Sequence, residues 1–285
     1  MEQGNCDIQF NLRWGDIVKT KEKCSVINKL LMGKNEILFN LFYLIADDKN
    51  ALFITDNESY IIGKSRKAPS AWLFVNDNLT ENVETEIVEV ISKILIETPE
   101  LIINGESTRV TGILDKVSEK MNVSYAVKMP MNVYACNECV SVEPKGKMIA
   151  PSRKYVENIA RLIRQMVLDS ENIDIGEKTA NEWAKARKHA DNLFLWKDEN
   201  IVALAMIAHK TDKYARINTV VTDRECRGKG YAKMLIATLT TQLLNQGVVP
   251  MLYADADNLA SNAVYKKVGY TYQGKITEFQ FNSKG

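Results

Sequence analysis

Arg227-Gly228-Lys229-Gly230-Tyr231-Ala232 lies between a strand-like stretch ending at Thr222 and an amphipathic helix beginning at Tyr231. Gly228 and Gly230 let the backbone approach a ligand with no Cβ in the way. The successive N–H groups of a helix start add open donors and the positive end of the helix dipole. The diphosphate of a nucleotide cofactor fits such a cradle. On the glycines alone several cofactors fit, and the flanking positions must choose among them.

Upstream, residues 193–196, 201–208 and 216–222 have strand composition and are separated by the turn-formers at 198–200 and 210–213, which predicts an antiparallel meander. Before it, Val156, Ile159, Leu162, Ile163 and Met166 recur at helical spacing over 154–168, and a second, more polar helix is expected over 177–190. Downstream, Tyr231, Leu235, Leu239 and Leu243, with Ala232 and Ile236 beside them, form one apolar helical face, and Gly247 stands where a left-handed C-cap belongs. A strand over 248–254, a short helix over 258–268 ending at Gly269, and a strand over 270–281 complete this half.

The first half shows a similar order: strand 72–75, helix 80–96, strand 101–103, helix 107–121 and strand 123–136. It reads either as a diverged internal repeat or as ordinary α/β alternation. Its decisive turn, Asn76-Asp77-Asn78-Leu79-Thr80, brings a carboxylate and side chains where an anion needs bare backbone, so only the second half should hold a pyrophosphate this way. Pro144, Gly146 and flanking charges at 141–147 predict a domain boundary, giving domains 1–143 and 144–285.

The 285 residues carry a formal net charge of +1 with 26% charged residues, which recommends neither nucleic acid nor an acidic membrane as partner. No run reaches the roughly 18–20 apolar residues of a membrane helix. The nearest, 37–46, is broken by Asn40 and reads as a buried helix or strand. Met1-Glu2-Gln3-Gly4-Asn5 lacks the basic start and apolar core of a secretory signal, so a cytoplasmic location is expected. Cys6, Cys24, Cys136, Cys139 and Cys226 are odd in number and scattered, unlike a disulfide framework. Cys136-x-x-Cys139 has the spacing of half a zinc site or a redox pair, but no second pair exists, so no metal is expected.

A dinucleotide fingerprint needs a third glycine at 233, where this chain has Lys, and a Walker loop needs Gly-Lys-Ser/Thr after four intervening residues, which Gly230-Tyr231-Ala232-Lys233 does not supply. The segment resembles the acyl-CoA loop of the GNAT superfamily of N-acetyltransferases, Gln/Arg-x-x-Gly-x-Gly/Ala, with Arg227, Gly230 and Ala232 at the fixed positions. Residues 258–270, with Asn258 after a strand and Tyr265 before the Gly269-Tyr270 turn, resemble the superfamily's second cofactor motif. The resemblance covers roughly 145–285 and is nearest to predicted acetyltransferases with an additional N-terminal region. It implies an α/β (α+β) fold: a GNAT-like mixed sheet flanked by helices, preceded by an α/β domain readable as a degenerate GNAT-like repeat.

The resemblance implies that Val220, Val221 and Thr222 lend backbone groups to the pantetheine arm of acetyl-CoA, the co-substrate. The loop of Arg227, Gly228, Lys229, Gly230, Tyr231, Ala232 and Lys233 would hold its pyrophosphate through amides, and Asn258 would bond it further along. Tyr265 would protonate the leaving thiolate. Plainer roles exist: a core aromatic for Tyr265, a helix N-cap for Asn258, solvated lysines at 229 and 233. The implied activity is transfer of an acetyl group to a primary amine of a small molecule or amino-acyl compound by direct attack. The alternative is a non-catalytic acyl-CoA sensor or interaction module. One departure stands out, because many relatives carry a glutamate base on the strand before the loop, whereas 214–222 holds no carboxylate, with Asn218 and Thr219 among its polar members. Asp255 and Asp257 are the nearest acids, with turn and cap chemistry as their ordinary role. Cys226 has no nearby His to activate it. Acyl length and oligomeric state stay open.

Overall fold

Two compact units emerge: Met1–Met129 with Ile276–Gly285, and Pro130–Lys275. The computed structural model describes residues 20–66 and 68–282, so Met1 to Asn5 and Cys6, read above, lie outside the described residues. Among the described residues no helix is long and apolar enough to cross a membrane.

The first unit begins with α1 (Thr20–Leu30), α2 (Lys34–Leu38) and α3 (Leu41–Asp47), followed by strands β1 (Leu52–Thr55), β2 (Tyr60–Lys64) and β3 (Ser70–Val75). Helix α4 (Glu81–Glu97), strand β4 (Ile102–Gly105), helix α5 (Ser107–Met121) and the start of β5 (Tyr125–Ala135) complete its chain order. β1, β2 and β3 are antiparallel, and β3 runs parallel to β4 with Ala71 opposite Ile103. Helical spacing on α4 and α5 turns Ile87, Ile91, Val110, Ile113 and Leu114 onto Tyr60, Ile62, Leu73 and Ile103. The apolar run at 37–46 forms two short helices that meet at Asn40. Phe39 packs edge-on to Phe74 at 5.2 Å, and a Cβ at Gly63 would come within 2.9 Å of the Phe42 ring, which is why that strand position is glycine.

The second unit runs β6 (Lys147–Ile149), α6 (Val156–Glu171), α7 (Gly176–Arg187), β7 (Leu193–Lys197), β8 (Ile201–Lys210) and β9 (Tyr214–Thr222). It continues through α8 (Tyr231–Leu244), β10 (Val249–Asp255), α9 (Leu259–Val268) and the start of β11 (Thr271–Phe281). β7, β8 and β9 form the expected meander, and β10 returns parallel to β9. Two apolar clusters result: one gathers Leu235, Ile236, Leu239, Leu252 and Tyr265, the other Ile159, Leu162, Ile163, Leu195 and Leu204. Gly247, at φ +74°, terminates α8 as expected, with the Val248 amide donating to Leu243 O at 3.0 Å.

Apart from β6, which pairs antiparallel with β7 and has no counterpart among the described residues of the first unit, helices, three antiparallel strands, a helix, a parallel strand, a helix and a final strand occur in this order in both halves of the chain, the order of an internal repeat. The final strands are exchanged. Residues 131–135 of β5 pair with β10, Tyr134 opposite Leu252, while residues 277–280 of β11 pair with β4, Phe279 opposite Ile103. The break therefore falls at Met129/Pro130 rather than at 143/144. The Pro144–Gly146 stretch packs within the second unit, where Trp196 Nε1 donates to Lys145 O at 2.9 Å and a Cβ on Gly146 would lie 2.5 Å from Lys197 O.

Strand β9 is irregular where it matters. Leu204 faces Val221 and Met206 faces Asn218, so Thr219 and Val220 oppose Ala205 alone, and Thr219 sits at φ +53°. Ile217 and Val221 consequently join opposite clusters, although four residues along a regular strand would put them on one face. On its other side, β9 pairs with β10 only through Tyr214, Ala215 and Arg216.

Two outcomes follow from this architecture. Residues 1–143 and 144–285 produced as separate polypeptides should each lack a cooperative melting transition, and co-production should restore one; a fragment 144–285 melting like the whole chain would disprove the exchange. Thr219→Asn, which tolerates the left-handed region, should raise the unfolding free energy by about 0.5–1 kcal/mol in a denaturant titration, whereas a strained threonine that costs nothing would show no change.

Candidate functional site

Beyond Thr222 the chain turns once through Arg224–Cys226, with the Asp223 carboxylate accepting the Glu225 amide at 3.1 Å. Gly228 and Gly230 follow at φ +76° and +82°. Nothing lies within 4 Å of a Cβ built on Gly228, and on Gly230 the nearest atom is the Met234 methyl at 3.7 Å. Backbone conformation, not crowding, demands glycine here. Gly230 caps α8 without a side-chain hydrogen bond, so the amides of Tyr231, Ala232 and Lys233 have neither cap nor intrahelical acceptor. Gly228, Lys229 and Gly230 are exposed, and Ala232 and Lys233 are half-buried.

The loop is clamped from below. The guanidinium groups of Arg224 and Arg227 converge on Asp169 of α6, and Arg227 Nε donates to Thr222 O at 3.3 Å. Gln165 accepts the Arg224 amide at 3.1 Å and donates to Thr222 O at 2.9 Å. The Arg224 and Arg227 bonds hold the Asp169 carboxyl below its usual range. Arg227 thus spends its side chain on the loop's own support. Tyr231 is buried, and its hydroxyl donates to Asp198 Oδ2 at 2.6 Å, an oxygen that also lies 3.2 Å from Lys145 Nζ. A groove of about 1170 Å³ borders the loop on the α6 side, lined by Arg161, Gln165, Asp198 and Lys229 among others, and includes no residue of β10 or α9.

The bulged end of β9 supplies Val220, half-buried, Val221, buried, and Thr222. Past Arg216, β9 has no rung with β10, so one backbone edge runs unladdered from Ile217 to Thr222 and leads into the loop. Three polar atoms on this strand, Arg216 Nε, Asn218 Oδ1 and Thr222 Oγ1, are buried with no hydrogen-bond partner. The Arg216 guanidinium lies over the Tyr253 ring at 5.6 Å. Opposite it on β8, the His209 imidazole is pushed down to about 4 by burial and by the Arg216 charge, so it is neutral at pH 7.

Across the opening, Asn258 caps α9, its side chain accepting the Ser261 amide at 3.0 Å, and Asp255 accepts the Asp257 amide at 3.0 Å in a tight turn. Sequence reasoning missed Asn262. It is buried, donates to Asp255 O at 2.7 Å and Asn258 O at 2.8 Å, and accepts from the Tyr134 hydroxyl at 2.8 Å and Asn132 at 3.0 Å. The available signal was an asparagine four residues after Asn258, on the apolar face of its helix. Tyr265 is 8% exposed, with ring centroids 6.3 Å from Tyr134 and 6.0 Å from Tyr270. Burial alone pushes its hydroxyl up to about 12.

The loop, the β9 edge and the β10–α9 turn are thus brought together in the second unit. The equivalent turn of the first unit is filled by its own side chains: Thr80 accepts the Val83 amide, Asp77 pairs with Arg109 at 2.6 Å, and Asn76 donates to Glu58 O at 3.0 Å. Cys24, Cys136, Cys139 and Cys226 are free thiols, and burial raises the Cys136 thiol to about 11. No group of three or more His, Cys, Asp or Glu side chains placed to hold a metal occurs among the described residues.

Residues 158–270 match the Acetyltransferase (GNAT) family. The chain is similar to a mycothiol acetyltransferase of Brachybacterium faecium, 29% identical over 117 residues that cover 39% of this chain and 34% of that protein. It spans about a third of the length of that curated relative. Among solved structures it resembles a GNAT-family acetyltransferase from Colwellia psychrerythraea, with a TM-score of 0.56 at 14% identity over 93% of this chain and 96% of that one. A tandem GNAT protein from the clavulanic acid biosynthesis pathway gives 0.50 at 12% identity over 79% and 78%. At these identities the structural likeness is one of fold, and the matched sequence carries the assignment: residues 158–270 of this chain form a domain of the GNAT acetyltransferase family.

Proposed function

We propose that this chain transfers an acetyl group from acetyl-CoA to a primary amine of a small molecule or amino-acyl compound. The observation that carries the reading is the unladdered β9 edge, which runs from Arg216 directly into a loop of exposed amides at an uncapped helix start. A pantetheine arm is an extended chain of amides that can take the place of the missing strand, and its pyrophosphate falls where the donors and the α8 dipole are. Bound acetyl-CoA supplies an activated thioester.

The chain's residues do the rest. Amides of Gly228 to Lys233 bind and orient the diphosphate, and backbone groups of Val220, Val221 and Thr222 fix the arm. A β9 amide near Val221 donates to the carbonyl oxygen as the amine adds. Nitrogen bonds the acyl carbon, the carbon–sulfur bond breaks, and the Tyr265 hydroxyl gives its proton to the departing sulfur. With its pKa near 12, Tyr265 stays protonated at neutral pH and acts only as a donor. Asn258, engaged as a cap, borders the cofactor through its exposed side. β9 carries no carboxylate and Asp255 is held in its turn, so the attacking amine loses its proton to water.

Acetyl-CoA at about 100 times its Kd should stabilise the protein by about 2.7 kcal/mol, read as a rise in Tm. Gly230→Glu, which puts a charged side chain at φ +82° beside the diphosphate, should abolish the rise, and an unaltered shift would remove the loop from the site. Tyr265→Phe should lower kcat about 100-fold or more while the Kd for acetyl-CoA stays within about twofold. Equal turnover would strip Tyr265 of its role.

A further inference from the structure

We infer that the acceptor is a primary amine that also bears a carboxylate, and that Arg216 and Asn218 recognise it. The inference rests on the acetyl-transfer reading and narrows its substrate class. Every other arginine on the faces flanking the loop has an acid: Arg161 pairs with Asp223, Arg164 with Asp174, and Arg224 and Arg227 with Asp169. Arg161, Arg224 and Arg227 are exposed, whereas Arg164 and Arg216 are half-buried. Arg216 has none among the described residues. It packs on Tyr253, its Nε is buried without a partner, and the cross-strand His209 is neutral. A guanidinium keeps its charge at any physiological pH, and a largely buried cation without an anion is costly enough that a protein retaining one has a use for it.

Its position supplies the use. Arg216 occupies the last rung between β9 and β10, where the opening along β9 begins, on the same strand whose amide near Val221 meets the acyl carbonyl in the reading above. Asn218 lies two residues on, on the same face and roughly 6–7 Å along the strand, with a buried carbonyl oxygen that accepts nothing. A carboxylate engages the Arg216 fork with two parallel bonds, and an amine a few bonds away donates to Asn218 Oδ1. That places the nucleophilic nitrogen at the unladdered edge. The combination fits a free amino acid, whose amine and carboxylate are separated by a short chain, and it disfavours the amide of the same amino acid, which has no anion.

The test measures thiol release from acetyl-CoA with the twenty common amino acids, their amides and their decarboxylated amines, in wild type and Arg216→Met, with the acetyl-CoA-induced Tm shift recorded in parallel. At least one amino acid should exceed its amide about 30-fold in kcat/KM, the worth of a lost charged hydrogen-bond pair. Arg216→Met should bring that ratio near 1 and leave the acetyl-CoA shift intact. Without ligand, Arg216→Met should melt no lower than wild type, since it loses an unpaired charge and keeps a side chain that packs on Tyr253. A ratio that survives the substitution, turnover confined to amines lacking a carboxylate, no turnover of any compound while acetyl-CoA still shifts Tm, or a ligand-free variant melting several degrees lower would each overturn the inference. Absence of any acetyl-CoA shift in wild type would instead overturn the acetyl-transfer reading beneath it.

Discussion

The three-rung ladder between β9 and β10 is the constraint from which the second unit takes its form. A parallel pair continuing past Arg216 would close the sheet and leave no opening. It stops because β9 carries a bulge at Thr219 and Val220, held against β8 at Leu204 and Met206, which strengthens the local twist and turns the end of β9 away. The cost is local: a β-branched residue at φ +53° and polar atoms at 216, 218 and 222 left without protein partners. Strain and orphaned polar groups on one strand, beside one opening, are the observations on which the proposed ligand site rests.

The glycine loop depends on that strand from the outside. Its conformation is open at Gly228 and Gly230, so nothing in its own packing would hold it still. The two arginines on Asp169 and the Gln165 bridge to Thr222 and Arg224 perform that task from α6. Individually such exposed pairs stabilise little, about 0–1 kcal/mol each, but converging on one carboxylate they define one loop geometry. A positioned row of amides is more useful to a bound anion than a flexible one, because ordering has been done before the ligand arrives.

The exchanged strands tie the two units' folding together. β4 receives its partner from the end of the chain, and β10 receives Tyr134 and its neighbours from before the second unit begins. Tyr134 then bonds Asn262 and packs beside Tyr265, so a residue contributed by the first repeat shapes the surroundings of the proposed acid. The first unit's own glycine-free turn is filled by Thr80, Asp77 and Asn76, so it lacks the open backbone found at Gly228 and Gly230.

Local features were legible in the chain. The meander, the apolar face of α8, the Gly247 cap and the two turn positions at Gly228 and Gly230 rest on short-range periodicity and backbone sterics, which neighbouring residues determine by themselves. Arg227 was legible as a motif position but not as a clamp on Asp169, a partner that only packing supplies, whereas Asn258 was legible both as a motif position and as the cap of α9, since Ser261 lies three residues on. The boundary near 143 misread the Pro144–Gly146 stretch, because proline and glycine signal a tight turn whether it links domains or packs beneath Trp196. Which strand completes which sheet, the bulge at Thr219, the buried hub at Asn262 and the unpartnered cation at Arg216 belong to tertiary structure alone. Each arises from contacts between segments far apart in sequence, and no local pattern of residues records which distant backbone or charge will, or will not, be there to meet them.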